Sequence, residues 1–123
     1  MQCPLCHTPI SAETGAYDTA HFLAGGMRGS GYPWGGWYSR NLTSDGDTGL
    51  GRWTETEIVA AVTRGVSRDG RRLHPMAMPW PWFSRPSASD ARAIPAYLRG
   101  LPPVVNAWPE AHHVSAGGRA GGT

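Results

Sequence analysis

The chain has 123 residues, of which seventeen are glycine, eleven proline and six tryptophan, and 40% are hydrophobic. This composition suits one loop-rich domain with enough apolar and aromatic mass to fold around something. All eleven basic residues are arginine and the net charge is +2, too little for the basic footprint of a nucleic-acid binder, and no apolar run approaches the length of a transmembrane helix.

The first motif is the most informative. Cys3-Pro4-Leu5-Cys6-His7 spells C-x-x-C-H, the attachment pattern for c-type haem. Two thiols three positions apart reach the two vinyl groups on one edge of a porphyrin. The histidine that follows can offer a ring nitrogen to the iron as proximal ligand. Cys3 and Cys6 are the only cysteines, so they are no subset of a disulfide framework, and a disulfide between them would close a small, strained loop. A thioredoxin-like redox site needs a strand before its first cysteine, and only Met1 and Gln2 precede Cys3. Zinc needs two more ligands. His21, His74, His112 and His113 are available, without a second C-x-x-C or an H-x₃₋₅-H spacing. A small zinc-binding or interaction module is the competing reading.

Residues 8–53 are punctuated by glycine and read as long loops with short turns. Trp34, Trp37, Tyr38 and Trp53 need a surface to pack on. A haem edge is one candidate and ordinary anchoring to the core is the other. A helix follows Trp53. Thr54 and Glu57 make a capping box, Ile58, Val59 and Val62 share a face, and Gly65 closes the segment. Arg64, Arg68, Arg71 and Arg72 form the densest basic run, either a solvated loop or a patch that meets haem propionates or an acidic partner.

Next comes His74-Pro75-Met76-Ala77-Met78-Pro79-Trp80. A methionine held in a proline-stiffened loop, well downstream of C-x-x-C-H, is what a distal thioether ligand requires. Met76 and Met78 both qualify, and filling gaps in a core is the alternative role for each. The second helix begins near Ser87 with Asp90 in its first turn. Ile94, Tyr97, Leu98 and Leu101 form its apolar stripe, and Pro102-Pro103 ends it. Pro95, in its interior, predicts a kink. Residues 106–123 read as a flexible tail in which His112-His113 is an adventitious metal-binding pair.

With these blocks in this order, the chain resembles class I type cytochrome c domains. Such domains occur in the cytochrome subunits of bacterial alcohol, aldehyde and sugar-acid dehydrogenases. The resemblance covers most of residues 3–105. It rests on Cys3-Pro4-Leu5-Cys6-His7-Thr8-Pro9, Phe22-Leu23-Ala24-Gly25-Gly26, Asn41-Leu42-Thr43-Ser44-Asp45 and Thr48-Gly49-Leu50-Gly51-Arg52-Trp53. It continues through Glu57-Ile58-Val59, Gly65-Val66, Asp69-Gly70-Arg71, Met78-Pro79 and the stretch from Ala96 to Val104.

The resemblance implies an all-α, loop-rich cytochrome c fold wrapped around one covalently bound haem c, with residues 1–105 as the domain. It implies Cys3 and Cys6 as attachment points, His7 as proximal ligand and Met78 as distal ligand, Met78 being preferred because it directly precedes a proline. It further implies an electron carrier rather than an enzyme, with a dehydrogenase or a respiratory-chain component as redox partner. The expected location is the periplasm, where haem is joined to C-x-x-C-H, although no signal peptide precedes the motif. Family members begin with a helix before C-x-x-C-H. Its absence here predicts that Ile94, Tyr97 and Leu98 lack a packing partner. It also leaves open an inactive, truncated cytochrome fragment.

Overall fold

The computed structural model describes residues 1–31 and 35–108. Three helices appear, α1 (Cys3–His7), α2 (Glu55–Arg64) and α3 (Ala88–Arg99), with a two-stranded hairpin of β1 (Arg28–Gly31) and β2 (Gly35–Tyr38) between the first two. Single 3₁₀ turns lie at Thr19–His21 and Trp80–Phe83. Trp34, Pro109 and everything after it, His112 and His113 included, lie outside the described residues.

The two longer helices begin and end as their sequences dictate. Thr54 Oγ1 accepts the Glu57 N–H at 3.2 Å while Glu57 Oε2 accepts the Thr54 N–H at 2.9 Å, completing the capping box of α2. Gly65 ends that helix in the left-handed region (φ +65°), where a Cβ would run into the Trp80 indole. Ser87 Oγ accepts the Asp90 N–H at 3.1 Å and starts α3. The helix passes through Pro95 without a break, and the proline ring is fully buried. Burial of that ring offsets part of the cost of about 3 kcal/mol that an interior proline imposes.

Two expectations are corrected. The chain is not strictly all-α, since the glycine-rich stretch expected to be loop contains the antiparallel pair Arg28↔Tyr38 and Gly29↔Trp37. Gly29 permits it, because the Trp37 indole occupies the space a side chain there would need. Nor is the apolar stripe of α3 left without partners. Leu98 is only 5% exposed and forms the core with Leu23 and Ile58, and Ile94, Leu101, Leu42, Leu50, Trp53 and Cys3 pack around that trio. The helix finds its partner in α2 and in the Leu23 loop. Tyr97 alone of the stripe stays mostly exposed, at 58%.

The cluster of Leu23, Ile58 and Leu98 is a small core, and buried polar groups supply much of the remaining order. Asn41 is 2% exposed and uses its whole amide. Its Nδ2 donates to Thr48 Oγ1 (3.0 Å) and to the Val104 carbonyl (2.7 Å), and its Oδ1 accepts the Thr43 N–H (2.9 Å) and hydroxyl (2.7 Å). The loop after the hairpin is thereby tied to the chain beyond α3. Asn106 and Trp108, in the segment expected to begin a tail, are hydrogen-bonded into the body as well. Asn41→Ala removes all four bonds and leaves the Val104 carbonyl with only the longer bond from the Thr43 hydroxyl, at 3.3 Å. We expect a loss of about 2–4 kcal/mol in urea unfolding, from about 1 kcal/mol per net bond plus the cost of buried groups left unpaired.

Candidate functional site

One large cavity, about 710 Å³, lies between α1, the loops 37–53, α2 and the 73–83 segment. That is within the roughly 300–1,000 Å³ of ordinary cofactor and ligand sites. Cys3, Cys6, His7 and Met78 all line it, although Met78 stands 71 positions after His7. Its walls are mostly apolar, with Leu42, Leu50, Ile58, Val62, Ile94 and Leu98 among them.

The motif end of the cavity is built on α1. Pro4 falls in the first turn, where a missing N–H costs nothing. One helical turn sets Cys3, Cys6 and His7 at i, i+3 and i+4, on one face. No disulfide joins the two cysteines. Burial pushes the Cys3 thiol above its ordinary range, so it remains an uncharged S–H.

His7 is gripped at both ends. Its backbone carbonyl accepts the Gly25 N–H at 2.7 Å. Its ring Nδ1 lies 2.7 Å from the Arg40 carbonyl. A carbonyl only accepts, so Nδ1 carries the proton and Nε2 keeps its lone pair. Burial also lowers the imidazole's pKa, outweighing the opposite pull of the Arg40 carbonyl, and so favours the neutral ring. A neutral imidazole whose second nitrogen is held by a backbone carbonyl is what a metal-binding histidine requires. Gly25, at φ +80°, makes this possible. A Cβ there would lie 2.5 Å from the Ser39 carbonyl oxygen and 2.6 Å from the Arg40 carbonyl carbon.

The opposite wall carries the methionine loop. The His74 carbonyl accepts the N–H groups of Ala77 (3.1 Å) and Met78 (2.9 Å), and the Met78 carbonyl accepts the Trp80 N–H at 2.7 Å. Trp80 Nε1 reaches back to the Leu73 carbonyl at 3.2 Å. The fold separates the two candidate methionines. Met78 is partly buried on the cavity wall, whereas Met76 is 68% exposed and off it. His74 also lines the cavity, and its Nδ1 accepts the Met76 N–H at 3.2 Å.

Trp37, Tyr38 and Trp53 all reach the cavity, as do Arg40 and, of the basic run, Arg71. Arg71 also pairs with Asp69 at 3.3 Å, and Arg68 pairs with Glu57 at 3.5 Å. His21 is off the cavity wall and pairs with Asp18 at 2.7 Å, which holds the Asp18 carboxyl below its usual range. Among the described residues, no three His, Cys, Asp or Glu side chains gather as a metal-ligand set, so the zinc reading has no assembled site there. The residues that sequence reasoning missed are Gly25 and Arg40. Gly25 was visible as part of Gly25-Gly26, but Arg40 acts through its carbonyl, which carries no side-chain signal. Gly25→Ala should cost at least about 1–3 kcal/mol from the left-handed backbone alone, more with the clash, and should loosen the grip on His7. Chemical denaturation measures the first effect, and the ¹⁵N shifts of the His7 ring report the second.

No protein-family model matches the chain. It is 37% identical over 102 residues to a subunit of the nicotinate dehydrogenase of Pseudomonas putida, a match covering 83% of this chain and 8% of that protein. It is 38% identical over 104 residues to the cytochrome c subunit of alcohol dehydrogenase (quinone) of Gluconacetobacter polyoxogenes, covering 84% and 20%. To the gluconate 2-dehydrogenase cytochrome c subunit of Pantoea cypripedii it is 35% identical over 102 residues, covering 78% and 23%. The chain therefore spans less than a quarter of the length of each of these relatives. Most of its own length lies within these matches, and the chain belongs with the cytochrome c domains of dehydrogenase subunits.

Proposed function

We propose that the chain binds one covalent haem c and carries single electrons, to or from a periplasmic dehydrogenase or the respiratory chain. The observation that carries this reading is the convergence of Cys3, Cys6, His7 and Met78 on one apolar cavity. Cys3 and Cys6 hold the two thioether bonds, His7 Nε2 is the proximal ligand and the Met78 sulfur the distal one. Haem supplies an iron that cycles between two oxidation states.

The residues of the chain do the rest. The Arg40 carbonyl fixes the His7 tautomer, and the turn of α1 sets both thiols beside the imidazole. The apolar walls exclude water and so help to set the potential. Bound haem would take His7 and Met78 as its two protein ligands, a donor set that suits outer-sphere electron transfer rather than catalysis. The cytochrome c subunit names of the relatives support a dehydrogenase partner, and attachment chemistry at C-x-x-C-H supports a periplasm-facing location.

Two experiments test this. A thiol adds across a vinyl group with no leaving group. The intact mass of protein made with cytochrome c maturation should therefore rise by one whole haem, and acidic acetone should extract none of it. Haem that leaves on extraction sinks the covalent assignment. The second concerns the distal ligand. Met78→Ala should abolish the weak charge-transfer band at the red edge of the ferric spectrum and lower the reduction potential, because a thioether favours reduced iron. Met76→Ala should do neither, and the reverse pattern transfers the role to Met76.

A further inference from the structure

Residues 104–108 cross back over the loops that hold His7. Asn106 Nδ2 donates to the Ala24 carbonyl at 3.1 Å, and its backbone N–H donates to Thr48 Oγ1 at 3.0 Å. Trp108 stacks on Tyr38, with ring centroids 5.3 Å apart and planes 22° apart. Its carbonyl accepts from the Arg40 guanidinium at 2.6 Å. Its indole occupies the space that a Cβ on Gly26 would need. The residues touched, Ala24, Gly26, Tyr38 and Arg40, flank or form the two grips on His7. Gly25 donates to its backbone carbonyl, and Arg40 accepts from its ring.

We propose that this segment is a positioning strap, with Trp108 its principal residue, that fixes the Arg40 carbonyl against His7 and so sets the donor strength of the imidazole. The inference rests on the haem reading above. The carbonyl sits just past the end of β2, in a loop, opposite Gly25 and Gly26 at positive φ. Backbone bonds hold the neighbouring residues: Ser39 N–H donates to the Met27 carbonyl (2.9 Å), Gly26 N–H to the Ser39 carbonyl (3.0 Å) and Leu42 N–H to the Leu23 carbonyl (2.8 Å). The strap adds a hold on Arg40 and its neighbours from the other side, by stacking, by the guanidinium bond and by packing on Gly26. A firm Nδ1–H···O=C bond makes the imidazole a stronger donor, which favours oxidised iron and a lower potential. Loosening the strap weakens that bond and raises the potential. The indole Nε1 is buried with no partner among the described residues, so Trp108 acts through its ring faces and not through its N–H.

The test uses the full haem-loaded chain as wild type, Trp108→Ala and Trp108→Phe. In Trp108→Ala we expect a higher reduction potential. In the reduced state its His7 Nδ1 proton should exchange with solvent about tenfold faster, roughly the equivalent of one lost hydrogen-bonding tie. Trp108→Phe keeps a ring for the stack and should restore both values. A Trp108→Ala protein with a lower melting temperature but unchanged potential and exchange makes the strap merely structural and overturns the proposal. If Trp108→Ala does not fold, Asn106→Ala decides by the same two readouts. A chain that takes no haem refutes the functional reading instead. The ¹⁵N shifts of His7 in the haem-free chain then judge the strap. An Nδ1–H tautomer that becomes mixed in the variant supports it, and one unchanged overturns it.

Discussion

The structure depends on holding one turn of helix in place. Five residues cannot sustain a helix in water, because nucleation is unfavourable and too few bonds follow it. Yet α1 must present two thiols and an imidazole to the same wall. Beyond its local turn bonds, its ties come from distant residues. Gly25 donates to the His7 carbonyl, Arg40 accepts from the His7 ring, and Leu23 donates to the buried Thr8 hydroxyl at 3.1 Å. These bonds select the turn, the tautomer and the direction of the imidazole together. The close approach of Gly25 to Ser39 and Arg40 is therefore a condition of the site.

The rest of the fold serves that arrangement with little conventional core. Leu23, Ile58 and Leu98 are its centre, and a cavity of about 710 Å³ lies beside them. Burying side chains of this size contributes roughly 1.5–3 kcal/mol each, so the trio supplies a modest share of what a domain needs. Thr8, Ser39, Asn41, Thr43 and Ser67 are buried as well. In a loop-rich chain such groups hold backbone that no helix or ladder holds, and each loop bonded this way keeps its carbonyls satisfied out of water. A group filling the cavity would add the apolar surface that the side chains lack.

The electrostatics of the cavity follow from burial. The Cys3 thiol is kept protonated and the His7 ring is favoured in its neutral form by the same desolvation, acting on opposite sides of neutrality. The charged side chains that reach the wall include Arg40 and Arg71, each with further partners in the protein, and Asp47, which pairs with Arg52 at 2.9 Å. The wall thus offers neutral donor atoms in mostly apolar surroundings, with charges of both signs among its loop residues.

Much of this was legible in the sequence, for a physical reason. C-x-x-C-H, the capping box at Thr54 and Glu57, the Ser87–Asp90 start of α3 and the Gly65 stop are local signals, carried by neighbours within one turn. The stripe of α3 was legible as apolar but not as to its partner, since Leu23 and Ile58 are remote in sequence. The hairpin was hidden because glycine repeats signal loops, and only the Trp37 indole lying on Gly29 turns one of them into strand. Met76 and Met78 both qualify by the character of their loop, and only the resemblance favours Met78; the tertiary structure puts Met78 on the cavity wall and leaves Met76 mostly exposed. Residue type and spacing determined which atoms could act here. Which of them face one another was decided by backbone groups such as the Arg40 carbonyl, identical at every position and therefore silent in the sequence.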